Sequence, residues 1–142
     1  MGLATRLPFV DEHMRAVAAP VDAVWRAVED VMSAPTGTVE RYGRLVDVRG
    51  GRAFEVARSE PPRRLVLVGE HRFARYSLVF TIEDLGPGLT ALRAQTWAAF
   101  PGVAGHLYRA LVINSRAHVL AVRLLLARIA RRARSGGVAA PA

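Results

Sequence analysis

The sequence predicts an α+β domain in which a curved antiparallel sheet of about six strands wraps around one long C-terminal helix. Three observations support this fold class. An apolar stripe with helical spacing follows Pro20, strand and turn signals fill residues 39–100, and a second helical pattern covers residues 102–134. Because 142 residues suit a single domain, we assign residues 9–134 to it and predict that the Gly-containing tail, residues 135–142, is disordered.

The first strand and the first helix are predicted from residues near the N-terminus. Phe9 to Ala18 has a mixed apolar and polar character, with Val10, Met14 and Val17, and is predicted to be a strand. Pro20 suits the first position of a helix, where its missing N–H costs nothing, and Asp22 favours the positive end of the helix dipole. The helix should end near Ser33, before a proline and a glycine. Its apolar stripe comprises Val21, Val24, Trp25, Val28, Val31 and Met32.

The middle of the chain has the pattern of a β-meander. Gly50-Gly51 predicts a tight hairpin between Leu45–Val48 and Ala53–Val56, because glycine readily adopts the positive φ angles of such turns. Pro61-Pro62 should end the second of these strands. Three further strands are predicted at Arg64–Phe73, Arg75–Asp84 and Leu89–Ala99.

Alternation along these strands predicts which side chains lie on the concave face of the sheet. Trp97 should lie on the opposite face, where it would cover an edge or an oligomer contact. The inward set comprises Leu65, Leu67, His71, Phe73, Tyr76, Leu78, Phe80, Ile82, Leu92, Ala94, Thr96 and Ala98.

The C-terminal helix is predicted to run unbroken from Gly102 to Arg134, with one face on the sheet. Asn114 and His118 are polar residues on that face, four positions apart, and two readings remain open. They bond to sheet backbone or buried water, or they bind the polar end of a ligand. The predicted packing stripe comprises Val103, Leu107, Leu111, Asn114, Ala121 and Leu125, with His118 and Ile129 at its edge and Arg109, Arg116, Arg123 and Arg134 opposite.

Composition limits the classes of function. The chain lacks cysteine and shows no metal-ligand spacing among its histidines, so we predict no disulfide, metal or cofactor. No serine has a nucleophile-elbow context. The N-terminus has no apolar run long enough for a signal peptide, which predicts a cytoplasmic protein.

The basic residues are all arginine, and the net charge is +8. This composition is typical of a GC-rich genome, although such a charge still attracts anionic surfaces. Arg128, Arg131, Arg132 and Arg134 either form a solvated helix end or contact phosphate groups. Because no aromatic residues interleave with them, we predict no nucleic-acid partner. Transient contact with a membrane surface and homodimerisation both remain open.

Several stretches of the chain resemble one protein superfamily. Val17–Trp25 is similar to the superfamily's entry into its first helix. Phe54–Val56, followed by Pro61–Leu65, is similar to the superfamily's step between two middle strands. Gly88–Leu92 is similar to the start of its last strand. Gly105–Arg109 resembles the helix opening of uncharacterised bacterial members. The superfamily is the START-type lipid-transfer and polyketide cyclase/dehydratase group, or SRPBCC, whose fold is called helix-grip. The resemblance implies a cavity between sheet and helix that holds sterols, phospholipids, aromatic polyketides or plant hormones.

The favoured hypothesis is a binder or carrier of a hydrophobic small molecule, either a lipid or a polyketide-like compound. The alternative is a cyclase/dehydratase-like enzyme in which a histidine or tyrosine moves protons, although no catalytic residue is assigned. A third class, a partner protein, would have a filled core. The candidate ligand-binding residues are Phe54, Leu67, His71, Tyr76, Leu78, Phe80, Thr96, Leu111, Asn114 and His118.

Overall fold

The computed structural model describes residues 7–33, 55–71, 74–100, 102–110 and 116–138. Within these ranges the chain is an α+β domain with five strands and three helices. This is the fold class that the sequence predicts. The elements, in chain order, are β1 (Phe9–Val17), α1 (Val21–Ser33), β2 (Glu55–Glu60), β3 (Arg64–His71), β4 (Ala74–Gly86), β5 (Leu89–Ala99), α2 (Gly102–Arg109) and α3 (Ala117–Val138).

The five strands form one antiparallel sheet in the order β1-β5-β4-β3-β2. The predicted meander is confirmed for β2 to β5, with the Pro61-Pro62 peptide, which is cis, between β2 and β3. The predicted strand Leu45–Val48 and its glycine turn lie outside the described residues.

The predicted bounds of helix α1 and its predicted apolar stripe are both confirmed. It begins directly after Pro20 and ends at Ser33. Val24, Trp25 and Val28 are buried, because the spacing of three and four brings them to one side of the helix. That side packs on β4 and β5 and forms part of the main core.

The two faces of the sheet also agree with the predicted alternation. On the outer face, Trp97 packs against Val66 and Val79, and its ring centroid lies 5.1 Å from that of Phe9. At one end of the sheet the buried Thr90 hydroxyl donates to the Ala19 carbonyl at 2.7 Å. The inner face shares the core with α1 through Leu65, Leu67, Leu78, Phe80, Ile82, Leu92 and Ala94.

The prediction of one unbroken C-terminal helix is wrong. Helix α2 ends at Arg109, and α3 begins at Ala117. Between them Arg116 has a φ angle of 63°, in the left-handed region, which a continuous right-handed helix does not contain. Helix α3 then continues to Val138, so the first part of the predicted disordered tail is helical. Residues 139–142 lie outside the described part of the chain.

The predicted packing stripe of this helical region is also wrong in part. Val103 and Leu107 are 88% and 66% exposed, and Ala121 is exposed as well. The break at Arg116 explains the error, since it resets the rotation of α3 relative to the residues before it. Leu125 does pack against the core, although it is only partly buried. The buried face of α3 comprises Val122, Leu126, Ile129, Ala130 and Ala133.

Helix α3 packs on α1, β1 and β5, so it closes the concave side of the sheet together with α1. Arg132 lies 3.5 Å from the Asp30 carboxylate and joins the two helices at the surface. Arg109, Arg116 and Arg123 are exposed, as predicted. The opposite end of α3, around His118, lies beside the start of β1.

Candidate functional site

A group of polar side chains lies on the concave face where β1 meets the first turn of α3. Val17 is buried on that face opposite Thr90. Stepping back along β1 two residues at a time reaches the exposed Arg15, then His13 and then Asp11, because alternate side chains of a strand share a face. Asp11 lies opposite Thr96 on β5.

A β-bulge directly before Asp11 places Phe9 on the opposite face of the sheet. The β1–β5 register shifts between Phe9, which pairs with Trp97, and Asp11, which pairs with Thr96. The extra residue therefore separates two side chains that plain alternation would place together. Phe9 joins Trp97 on the outer face, and Asp11 joins Thr96 on the concave face.

Asp11 connects two histidines through its two carboxylate oxygens. The His13 Nε2 atom lies 3.1 Å from Oδ2, and the His118 Nε2 atom lies 3.2 Å from Oδ1. The three side chains are 16%, 22% and 18% exposed for His13, Asp11 and His118, so they are shielded but still reachable. We call Asp11, His13 and His118 the His–Asp–His cluster. It ties the edge strand of the sheet to α3.

The hydrogen bonds of this cluster assign a role to each ring nitrogen. A carboxylate only accepts hydrogen bonds, so each Nε2 must carry the donated proton. In a neutral ring the other nitrogen, Nδ1, is then an acceptor. Each histidine can therefore accept a hydrogen bond or a proton from a neighbouring molecule. Within the described ranges, no group of three or more acidic or histidine side chains is arranged to hold a metal ion.

Thr96 adds a buried hydroxyl beside the cluster. The residue is 6% exposed, and its Oγ1 has no hydrogen-bond partner among the residues that the structure describes. Residues paired across two antiparallel strands have Cβ atoms about 4.5–5.5 Å apart, so Thr96 and Asp11 are close neighbours. Buried hydroxyls are usually bonded, which makes this one a candidate ligand contact.

Several predicted ligand-binding residues lie near Thr96. Leu78 pairs with Thr96 and also with Leu67, so the three side chains form a row across β5, β4 and β3. Tyr76 is partly buried and pairs with Ala98, one step along the same face. The His–Asp–His cluster stands at the β1 end of this row.

The remaining predicted site residues are placed differently or are not described. Phe80 is fully buried in the main core beside α1, and Leu67 and Leu78 belong to the same cluster. His71 ends β3, although its side chain is not described. Phe54, Leu111 and Asn114 lie outside the described residues, so the Asn114–His118 pairing stays a prediction.

The sequence reasoning missed Asp11 and His13. Their signal was the strand period of β1, since counting back from the apolar Val17 by twos gives three polar residues on the inner face, Arg15, His13 and Asp11. His118 was predicted, but its partner was expected in the sheet backbone or a ligand rather than in a carboxylate of β1.

A separate surface pocket of about 430 Å³ lies at the other end of α1. It is bounded by Pro20–Asp22, Asp84 and the Gly86–Gly88 turn. Its lining includes prolines, glycines and two exposed aspartates, and the pocket stands apart from the His–Asp–His cluster. None of the described helices is long and apolar enough to span a membrane.

The arrangement of sheet and helices is the helix-grip fold of START-like and polyketide cyclase proteins, as solved structures show. The chain is similar to the Zhui aromatase/cyclase from Streptomyces sp. R1128, with a TM-score of 0.54 and 18% identity over 89% of this chain and 96% of that one. It is also similar to a START superfamily protein from Mycobacterium smegmatis, with a TM-score of 0.52 and 14% identity over 87% and 98%.

A third similar structure is a point mutant of norcoclaurine synthase from Thalictrum flavum, with a TM-score of 0.52 and 12% identity over 89% of this chain and 94% of that one. No protein-family model matches the sequence, and no curated protein matches it. At these identities the structural likeness establishes the fold, and the function must be argued from the site.

Proposed function

We propose that this protein binds a mainly apolar small molecule, of lipid or polyketide-like chemistry, between the sheet and its C-terminal helices. The observation that carries the proposal is the buried Thr96 hydroxyl, which lacks a described partner and lies beside the His–Asp–His cluster. A ligand oxygen would supply the missing hydrogen bond.

The energetic argument concerns the cost of leaving that hydroxyl unpaired. A buried polar group without a partner costs about 1–3 kcal/mol. A bound ligand with one polar end would recover that cost, and the Nδ1 acceptors of His13 and His118 offer further polar contacts. The cluster thus supplies a small polar anchor of the kind that orients ligands in mostly apolar pockets.

The apolar part of the proposed site follows from the neighbouring row of side chains. Leu78 and Leu67 extend from Thr96 across the sheet, and Tyr76 brings an aromatic ring to the same face. If the polar end of a ligand binds Thr96, the apolar part of the ligand would therefore contact aliphatic and aromatic side chains. The helix-grip neighbours named as START-like proteins support the same general assignment.

The second candidate function is that of a cyclase/dehydratase-like enzyme. The His118 ring is oriented by a carboxylate on one nitrogen, which leaves its other nitrogen to move a proton, as general acid–base catalysis requires. The similarity to an aromatase/cyclase supports this alternative at the level of fold. A carrier needs the polar anchor alone, whereas an enzyme needs a titratable group next to the reacting atom.

Native mass spectrometry of freshly purified protein tests the proposal directly. We expect an additional mass that is released on denaturation and partitions into organic solvent. If fresh protein then chemically alters the released compound, and a His118→Gln variant binds the compound without altering it, the enzyme hypothesis is correct. Unchanged compound in both cases identifies a carrier.

The anchor is tested by replacing Thr96 with valine, which has the same shape but no hydroxyl. With 1-naphthol and naphthalene as probes, we expect the variant to bind 1-naphthol about 2–10-fold more weakly, since a neutral hydrogen bond contributes about 0.5–1.5 kcal/mol. Naphthalene affinity should not change. The free energy of unfolding should stay level or rise, because the variant no longer buries an unpaired hydroxyl. Fluorescence titration and urea denaturation measure both quantities.

Two outcomes would contradict the anchor. If Thr96→Val lowers the free energy of unfolding by more than about 1 kcal/mol, the hydroxyl has a structural partner. If both probes lose affinity equally, the substitution has altered the shape of the site. An Ala98→Val variant, one step along β5 on the same face, shows how a change of shape alone affects the two probes.

A further inference from the structure

The outward side of α3 combines apolar and basic residues in an unusual way. Leu120 and Leu124 are each 60% exposed and lie one helical turn apart. At 100° per residue, Arg128 and Arg131 fall within the same sector as the two leucines, opposite the buried residues, and both are exposed. We call these four residues the arginine–leucine face. Solvated helix faces are normally polar, so two exposed leucines between arginines need a separate explanation.

The charge of this region has one sign. From residue 85 to the C-terminus the sequence contains no aspartate or glutamate, while arginine occurs repeatedly. Arg132, at the edge of this face, approaches Asp30 of α1. Within the described part of the chain, Arg128 and Arg131 form no ion pair. Their charges are therefore available to an external anion.

We infer that the arginine–leucine face docks on the surface of an anionic lipid bilayer. The arginines would contact lipid phosphates while their alkyl stems lie along the membrane interface. Leu120 and Leu124 would enter the boundary between headgroups and acyl chains, which removes their exposed surface from water. This inference uses residues outside the proposed ligand site and does not depend on it.

Charge complementarity favours this occupant over the alternatives. A second copy docked through the same face would bring arginines against arginines, because a symmetric dimer contact joins identical patches. Nucleic acid would satisfy the arginines but would leave both leucines in water, and no aromatic residue on the face could stack on bases. A bilayer accepts the cationic and the apolar groups together. Val103 and Leu107 of α2 are a second exposed apolar pair that could add to membrane contact.

Vesicle co-sedimentation of the full chain tests this inference. One set of vesicles is pure phosphatidylcholine, and the other is two parts phosphatidylcholine to one part phosphatidylglycerol. We expect strong binding to the anionic vesicles and weak binding to the neutral ones. An Arg128→Gln/Arg131→Gln variant should lower the anionic partition coefficient about 25-fold, since each basic side chain contributes about a factor of five.

Two further variants separate a membrane from other anionic partners. Leu120→Ser/Leu124→Ser keeps every charge and should lower vesicle binding by roughly tenfold or more, because partial burial of leucine is lost. Arg123→Gln removes an exposed arginine of the same helix that lies beside the buried Ala130 and off the face, so it should change binding little. All of these side chains are exposed, so the variants should fold, which circular dichroism verifies.

Several results would overturn the inference. Equal binding to the two vesicle sets would show that the arginines are not engaged. Loss of binding in the arginine variant with no change in the leucine variant would show that nothing enters the bilayer. Binding to duplex DNA with the same arginine dependence, without binding to anionic vesicles, would assign the face to nucleic acid.

Discussion

Replacing Phe80 with alanine should lower the free energy of unfolding by about 3–5 kcal/mol. Phe80 is 0% exposed, and its ring packs among core residues of the sheet and α1. The deletion removes apolar contacts and leaves a cavity that the surrounding strands can only partly close. Because domains are stable by about 5–15 kcal/mol, this loss would take up a large share of the total. Urea denaturation followed by circular dichroism measures it.

A matched control lies on the same strand. Leu85 is 46% exposed, so Leu85→Ala should change the free energy of unfolding by about 0.5 kcal/mol or less. Similar losses for the two variants would contradict the placement of Phe80 in the core. The comparison also tests the sequence-based assignment of Phe80 to the ligand site. If Phe80 lines a ligand cavity, 1-naphthol should restore part of the stability of Phe80→Ala by filling the space, and it should do so less in the parent protein.

Replacing Ile129 with alanine should cost about 2–5 kcal/mol of unfolding free energy. Ile129 is fully buried, on the face of α3 that packs against α1 and the sheet. Truncating it would weaken the contact that holds the C-terminal helix over the concave side. Thermal or urea unfolding of the purified variant provides the measurement, with unchanged helix content in the folded state as the check on structure.

Leu124→Ala is the matched control for the phase of α3. The residue is on the same helix but is 60% exposed, so its truncation should cost about 0.5 kcal/mol or less. If Leu124→Ala were the more damaging change, the rotation of α3 about its axis would differ from that described. The pair therefore tests the corrected packing face, independently of any ligand.

Local sequence patterns predicted much of the fold. The Pro20 start of α1, its stripe from Val21 to Met32, and the strands before and after Leu85–Gly88 all follow from periodicity and turn chemistry. Alternation also placed Leu67, Leu78 and Thr96 on the concave face. These features were predictable because each depends on residues within a few positions of one another.

The C-terminal helix shows where periodicity stops being informative. A single stripe fitted across a break cannot describe the helices on both sides of it, so Val103 and Leu107 were placed on the sheet although they are exposed. Nothing in the residue types near Arg116 excludes a helix, since arginine is a good helix former. The left-handed backbone at Arg116 is set by its surroundings in the fold.

The sequence by itself determined the α+β class, the strands around their turns and the side of α1 that is buried, because these depend on local spacing. Tertiary structure alone decided that Asp11 and His118 meet, although they are 107 positions apart. Their contact requires the pairing of β1 with β5, which places Asp11 on the concave face, and the break that begins α3 beside β1. Such a meeting depends on how separate elements pack, and a one-dimensional pattern carries no information about the distance between them.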